Sequence, residues 1–318
     1  MKNRVLYFPY IRIPKSAWLT QMLLYWDKVS SIVPYEFTQK PESLGPYMQS
    51  LLEHELVVQV IPGMYIYEIP NFERAFQAYI DGLGPEVNRR RTQFESGNRL
   101  KVHIEKMGAL GHALAEQGLA NEGAYPWYNV EADTANDFMS YLAAILGQLA
   151  TVDSAPITDG AAYLRRFAKA GVAEDRVLQQ LQSLRTQVLE RVLPVPNHHV
   201  EPSAIAAFKS RHGELLADFR RRVERELVTA AVIADDALRQ RQLDIFFEES
   251  AARIEEIQAA MGDARWDTTK ASLSVLAAIP GVPQVFGLAA ALWAALSGSQ
   301  RPVPSQDFAY AAYARAEL

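Results

Sequence analysis

The sequence predicts an α+β fold dominated by helices: a small N-terminal sheet subdomain, then long helices, then an apolar C-terminal helical hairpin. Three observations carry this. Strand-like words rich in aromatic and β-branched residues fall almost wholly before residue 125. From Pro126 onward apolar residues recur every three or four positions. Residues 271–298, ASLSVLAAIPGVPQVFGLAAALWAALSG, carry no charge. The expected divisions are 1–125 for the α+β subdomain, 126–270 for a helical body with a long hairpin, and 271–318 for an apolar segment packed on that body.

The opening VLYFPYIRI reads as a strand that Pro9 and Pro14 confine to an edge or end early, since proline donates nothing to a ladder. KSAWLTQMLLYWDKVSSIVP follows with Trp18, Met22, Trp26 and Val29 at helical spacing and Ser16 as N-cap. SIVPYEF starts like a second strand, which makes a strand–helix–strand unit with the helix on one sheet face. PESLGPYMQSLLEHEL predicts a short helix; LVVQVIPGMYIYEI predicts a strand, a Pro-Gly turn and another strand. NFERAFQAYIDGL puts Phe72, Phe76, Tyr79 and Leu83 on one helical face. RLKVHIEKM is the last expected strand, and GALGHALAEQGLA a helix after it.

Beyond Pro126, EADTANDFMSYLAAILGQLA opens with acids that complement a helix dipole and continues as a dense apolar run. DRVLQQLQSLRTQVLERVL is a helix stopped by LPVPN, whose prolines forbid continuation. After Pro202, residues 203–262 run without proline, with Ile205, Phe208, His212, Leu215, Phe219, Val223, Leu227 and Ala230 forming a near-heptad seam. A helical hairpin or one long helix on the body satisfies that seam; a homodimeric coiled coil would use the same residues. The aromatic tail DFAYAAYARAEL needs cover from water and is expected to cap the body as a strand or helix.

The words YFPYI at 7–11, Trp18, LYWDKVSSIVP at 24–34 and FKSRHGELLADFR at 208–220 together resemble an uncharacterised bacterial family known only as a domain of unknown function. The resemblance spans most of the chain. It implies a bacterial origin and a shared fold, and supplies neither an activity nor catalytic residues.

Several chemistries are excluded or disfavoured. With no cysteine, disulfides, thiolate nucleophiles, iron–sulfur clusters and Cys-based zinc sites are ruled out. A formal net charge of −5, from 37 acidic and 32 basic residues, gives no overall surplus for nucleic-acid binding. The basic runs RRRT at 89–92 and FRRRVER at 219–225 are read as solvated faces or ion pairs. Phosphate loops, GxGxxG turns and GxSxG elbows are missing. No cofactor is expected. The start MKNRVLYFPYIRIPK is too interrupted by Pro9, Arg12 and Pro14 for a secretory signal, so a cytoplasmic protein is expected.

Two clusters remain as site candidates. Tyr25, Trp26 and Asp27 would make a stacking wall beside a buried acid, although core packing explains the aromatics as well. His103 and Glu105 on one strand face, with Asp133 and Asp137 on one helix face, would gather around a divalent metal in phosphodiesterase chemistry if the two elements met. Capping already accounts for the two aspartates. His198 and His199 lie in a proline-bounded loop without evident co-ligands, and His212 falls on the seam. In residues 271–298, the longer uninterrupted piece is about thirteen residues, or roughly 20 Å of helix, against about 30 Å of hydrocarbon. The reading favoured is a buried hairpin; the alternative is a sheltered segment released onto a membrane through Val285, Phe286, Leu288, Leu292, Trp293 and Leu296. The leading functional expectation is a non-catalytic interaction or scaffold protein that binds a protein partner through its helical body. Behind it stand a conditional membrane-acting effector, as in a toxin or phage-defence module, and the metal-dependent phosphodiesterase.

Overall fold

In the computed structural model, residues 3–159, 176–194, 200–263 and 306–318 are described. They form an α+β structure in which helices predominate, built as two compact units. One comprises Met1–Gln182 with Asn197–Ala206, the other Ser183–Pro196 with Ala207–Leu318.

The first unit is organised by β1 (Arg4–Tyr7). Its residues Val5, Leu6 and Tyr7 are wholly buried, as a strand covered on both faces requires. Helix α1 (Ala17–Tyr25) starts where Ser16 accepts a hydrogen bond from the Leu19 amide at 3.2 Å. It stops sooner than the sequence pattern predicts. Trp26 is already extended, and β2 (Lys28–Ile32) follows at once and pairs in parallel with β1. A short α2 (Glu36–Gln39), a 3₁₀ turn at Pro41–Leu44 and α3 (Pro46–Glu53) lead to β3 (Val57–Val60), parallel to β2.

The second strand predicted in VIPGMYIYEI does not form. Pro62–Met64 is a 3₁₀ turn and the chain continues in turns, with Ile66 buried and Met64 and Tyr67 facing out. Helices α4 (Phe72–Asp81) and α5 (Glu86–Glu95) follow; the arginine run lies inside α5. Strand β4 (Arg99–His103) ends earlier than expected, and Ile104–Met107 turns into the short α6. After α7 (Leu110–Glu116), β5 (Ala120–Glu122) and β6 (Trp127–Glu131) complete an antiparallel sheet of order β4-β6-β5. Helix α8 (Ala132–Gln148) then returns the chain to β7 (Ser154–Ile157). The expectation of a purely helical chain after Pro126 is therefore corrected by β6 and β7. Both were hidden because four- and five-residue strands carry almost no periodicity.

Strand β7 joins the first sheet beside β1, so the parallel order is β3-β2-β1-β7. The Phe8 amide donates to Ile157 O at 3.1 Å, which turns the Ile157 peptide groups toward β1 and those of Pro156 to the outer edge. One apolar cluster links the sheet (Leu6, Ile32, Val60) to α4 and α8 through Phe72, Phe76 and Phe138. Each such ring contributes about 1.5–3 kcal/mol by leaving water.

In the second unit, the C-terminal part of α9 (Arg176–Val192) accompanies α10 (Pro202–Ala231) and α11 (Asp236–Asp263). Asp235 caps α11 by accepting from the Leu238 amide at 2.9 Å. Pairing of Arg222 with Glu249 and of Gln242 with Glu226 makes α10 and α11 an antiparallel hairpin. The seam residues Phe208, Leu215, Phe219, Val223 and Leu227 are buried. Helix α12 (Ala309–Glu317) covers them: Phe208 and Phe219 lie 5.2 and 5.9 Å from the Tyr310 ring, and Phe246 lies 6.0 Å from Phe308. Residues 271–298, including Val285, Phe286, Leu288, Leu292, Trp293 and Leu296, lie outside the described residues, as do His198 and His199. Among the described residues, no helix is both long and apolar enough to cross a membrane.

Candidate functional site

Because β1, β2, β3 and β7 are parallel, all four release the chain at one edge of the sheet. The winding runs from β1 outward to β3 and then returns to β7 on the other side of β1. Open parallel sheets bind ligands in the crevice outside such carboxyl ends, at the point where the winding reverses.

Glu105 organises this edge. Its carboxylate accepts from the Tyr35 amide after β2 at 2.7 Å and from the Gly63 amide after β3 at 3.2 Å. A Cβ at Gly63 would stand 2.8 Å from Glu105 Oε1, so a larger residue there would push the Glu105 side chain aside. His103 sits beside it and caps α6, its Nδ1 accepting from the Glu105 amide at 3.2 Å. That bond leaves the neutral ring's proton on Nε2, which lies 3.2 Å from Glu36 Oε1, off the line of an ideal hydrogen bond. Trp127 and Phe37 flank the imidazole with ring centroids at 5.1 and 6.4 Å. Burial lowers the His103 pKa, and the charges of Glu36 and Glu105 oppose that shift.

Lys106 is the unusual member. It is only 3% exposed and makes no hydrogen bond or ion pair with any described residue. Burial lowers its pKa from 10.5 to about 7, against the pull of the neighbouring Glu105 carboxylate. Around this edge Tyr10, Tyr35, Met64 and Tyr67 are each more than half exposed, the first three directly after β1, β2 and β3. At the winding reversal the Tyr7 hydroxyl donates to Asp159 Oδ1 at 3.3 Å.

The four proposed metal ligands do not converge. His103 faces Glu36, and Glu105 is held by two backbone amides. Asp137 is buried in another network, where it accepts from Arg90 Nη2 at 2.8 Å and from the Tyr79 hydroxyl at 2.9 Å. Asp133 lies 3.7 Å from Arg89 Nη2. Among the described residues no three His, Asp or Glu side chains stand within reach of one metal ion. His103 and Glu105 share no strand face, because β4 ends at His103 and Glu105 belongs to α6. The Tyr25–Trp26–Asp27 cluster is corrected too. Tyr25 and Trp26 are core residues packed edge to face at 5.0 Å, and Asp27 is exposed in the turn before β2.

Sequence reasoning missed Glu36, Gly63 and Lys106 at the sheet edge, and Arg90 in the Asp137 network. For Arg90, burial works against the charge, but Asp137 and Tyr79 outweigh it and raise the pKa. No local pattern marks the burial of Lys106 or Arg90, since each is enclosed by elements distant in sequence.

No family model, curated protein or solved structure matches the chain.

Proposed function

We propose that the first unit binds a small polar molecule and performs acid–base chemistry on it at the carboxyl edge of the parallel sheet. The observation that carries this reading is the strand order β3-β2-β1-β7, with its winding reversal beside β1. A buried lysine with no hydrogen-bond partner among the described residues, an oriented histidine and two carboxylates beside the exits of β2 and β3 support it. A thermal-shift screen of small carboxylic acids, carbonyl compounds and nucleotides on the full chain tests it. At least one compound is expected to stabilise the protein, with the effect lost in Tyr35→Ala and kept in Asp133→Ala. A screen without any stabilising compound counts against the reading.

A second reading, a protein-binding role for the helical hairpin, has its own observation. Val228, Val232 and Leu238 are more than half exposed around the turn that joins α10 to α11. Expected is a partner that co-purifies with the full chain and is released by Val232→Lys with Leu238→Lys; unchanged retention removes this role. The membrane-acting alternative rests on the composition of residues 271–298 alone. It requires liposome leakage by the full chain that Leu288→Asp abolishes.

A further inference from the structure

A lysine that is 3% exposed is uncommon, and one without a partner is more so. Its ammonium form gives up hydration and donates no hydrogen bond to any described residue. The carboxylate whose charge acts on it, Glu105, is engaged by the amides of Tyr35 and Gly63. A methionine of similar length would fill the same volume without that penalty. The lysine also stands at the sheet edge itself: α6 packs against the 3₁₀ turn that leaves β3, and the charge of Lys106 is felt at His103. A primary amine placed so is suited to covalent chemistry, because only its neutral form is a nucleophile and desolvation favours that form.

We infer that Lys106 is the nucleophile of the sheet-edge site and condenses with a small aldehyde or ketone. The inference rests on the sheet-edge reading and names the substrate class for it. The Nζ lone pair attacks the carbonyl carbon, the C=O π bond breaks, and the oxygen gains a proton to give a carbinolamine. The nitrogen loses one proton to solvent as the carbinolamine forms; the hydroxyl then takes a proton and departs as water while a C=N bond forms, and the resulting iminium gives its remaining N–H proton to solvent. One carbonyl and one amine thus yield one imine and one water, with no change of oxidation state. A pKa of about 7 leaves a large share of Lys106 neutral at physiological pH, whereas an exposed lysine is almost wholly protonated there.

The test uses the full chain with pyruvate or glycolaldehyde and sodium cyanoborohydride, which delivers hydride to the imine carbon and fixes the adduct as a secondary amine. Peptide mass mapping compares Lys106 with Lys101, an exposed lysine on β4. Lys106 is expected to label at least about tenfold faster at pH 7. Its rate should rise from pH 6 to 8 and level off, while that of Lys101 keeps rising toward pH 10. Lys106→Met and Lys106→Arg should each lose the adduct on that peptide and keep the others. Lys106 labelling no faster than Lys101 with either probe, or following the pH profile of Lys101, overturns the inference. If Lys106 stays unlabelled while a Tyr35-dependent thermal shift persists, the covalent role falls and the sheet-edge site stands; if both are missing, both fall.

Discussion

A single ammonium sets the pH response expected of the first unit. The pKa of Lys106 falls from 10.5 to about 7 on folding, so the folded state is the weaker proton binder. Below pH 7 both states are protonated and the penalty is complete. Between about 7 and 10.5 the unfolded chain holds the extra proton, so stability climbs with pH. Lys106→Met is therefore expected to stabilise the protein by a few kcal/mol at pH 6 and to flatten the climb to pH 9, as read from urea midpoints. Asp137 makes the opposite case. Its side chain and that of Arg90 are 3% and 6% exposed, and Asp137→Ala strands the guanidinium. A loss of about 3–5 kcal/mol is expected, most of it recovered in the double variant Asp137→Leu with Arg90→Met. Denaturation of the single and double variants checks both. At this scale the sequence was partly readable. Ser16 announced its cap from local chemistry alone. Arg89, Arg90 and Arg91 are indistinguishable as letters, and only the packing of α5 against α8 buries the middle one.

Among the elements, α8 is the hinge of the first unit's architecture, and both of its ends are testable. Glu131 closes its N-terminus by accepting from the amides of Asp133 and Thr134 at 3.0 and 2.8 Å and from the Thr134 hydroxyl at 2.9 Å. Glu131→Ala is expected to cost about 1–2 kcal/mol. Near the other end, a Cβ on Gly147 would sit 2.5 Å from Ser154 O, a backbone atom of β7. Gly147→Ala is expected to cost about 1–3 kcal/mol, since neither the helix nor the strand can yield cheaply. Calorimetric melting of each variant gives the comparison. The long amphipathic helices were legible because their period repeats over many turns. Strands β5, β6 and β7 were not, being three to five residues long. MYIYEI misled because its apolar residues serve a 3₁₀ turn and the bends after it, where Ile66 alone is buried and Tyr67 is not.

For the molecule as a whole, each unit is discontinuous in sequence, since Ser183–Pro196 belongs with the second and Asn197–Ala206 with the first. No single cut yields both units intact. In the second unit the seam of α10 was readable, but its cover was not: Tyr310 meets Phe208 across about a hundred residues of chain. Tyr310→Ala is expected to destabilise that unit by about 3–5 kcal/mol and to speed amide exchange in α10 and α11 more than in β1 or β2. The candidate site, by contrast, exists only through the parallel winding, which no short word encodes. Among the described residues, that winding leaves β7 on the flank of the sheet, with the nitrogen of Pro156 turned outward where every other residue type would offer an N–H. A foreign strand approaching this flank finds its ladder interrupted at the centre, so polymerisation by strand addition is discouraged there by one pyrrolidine ring.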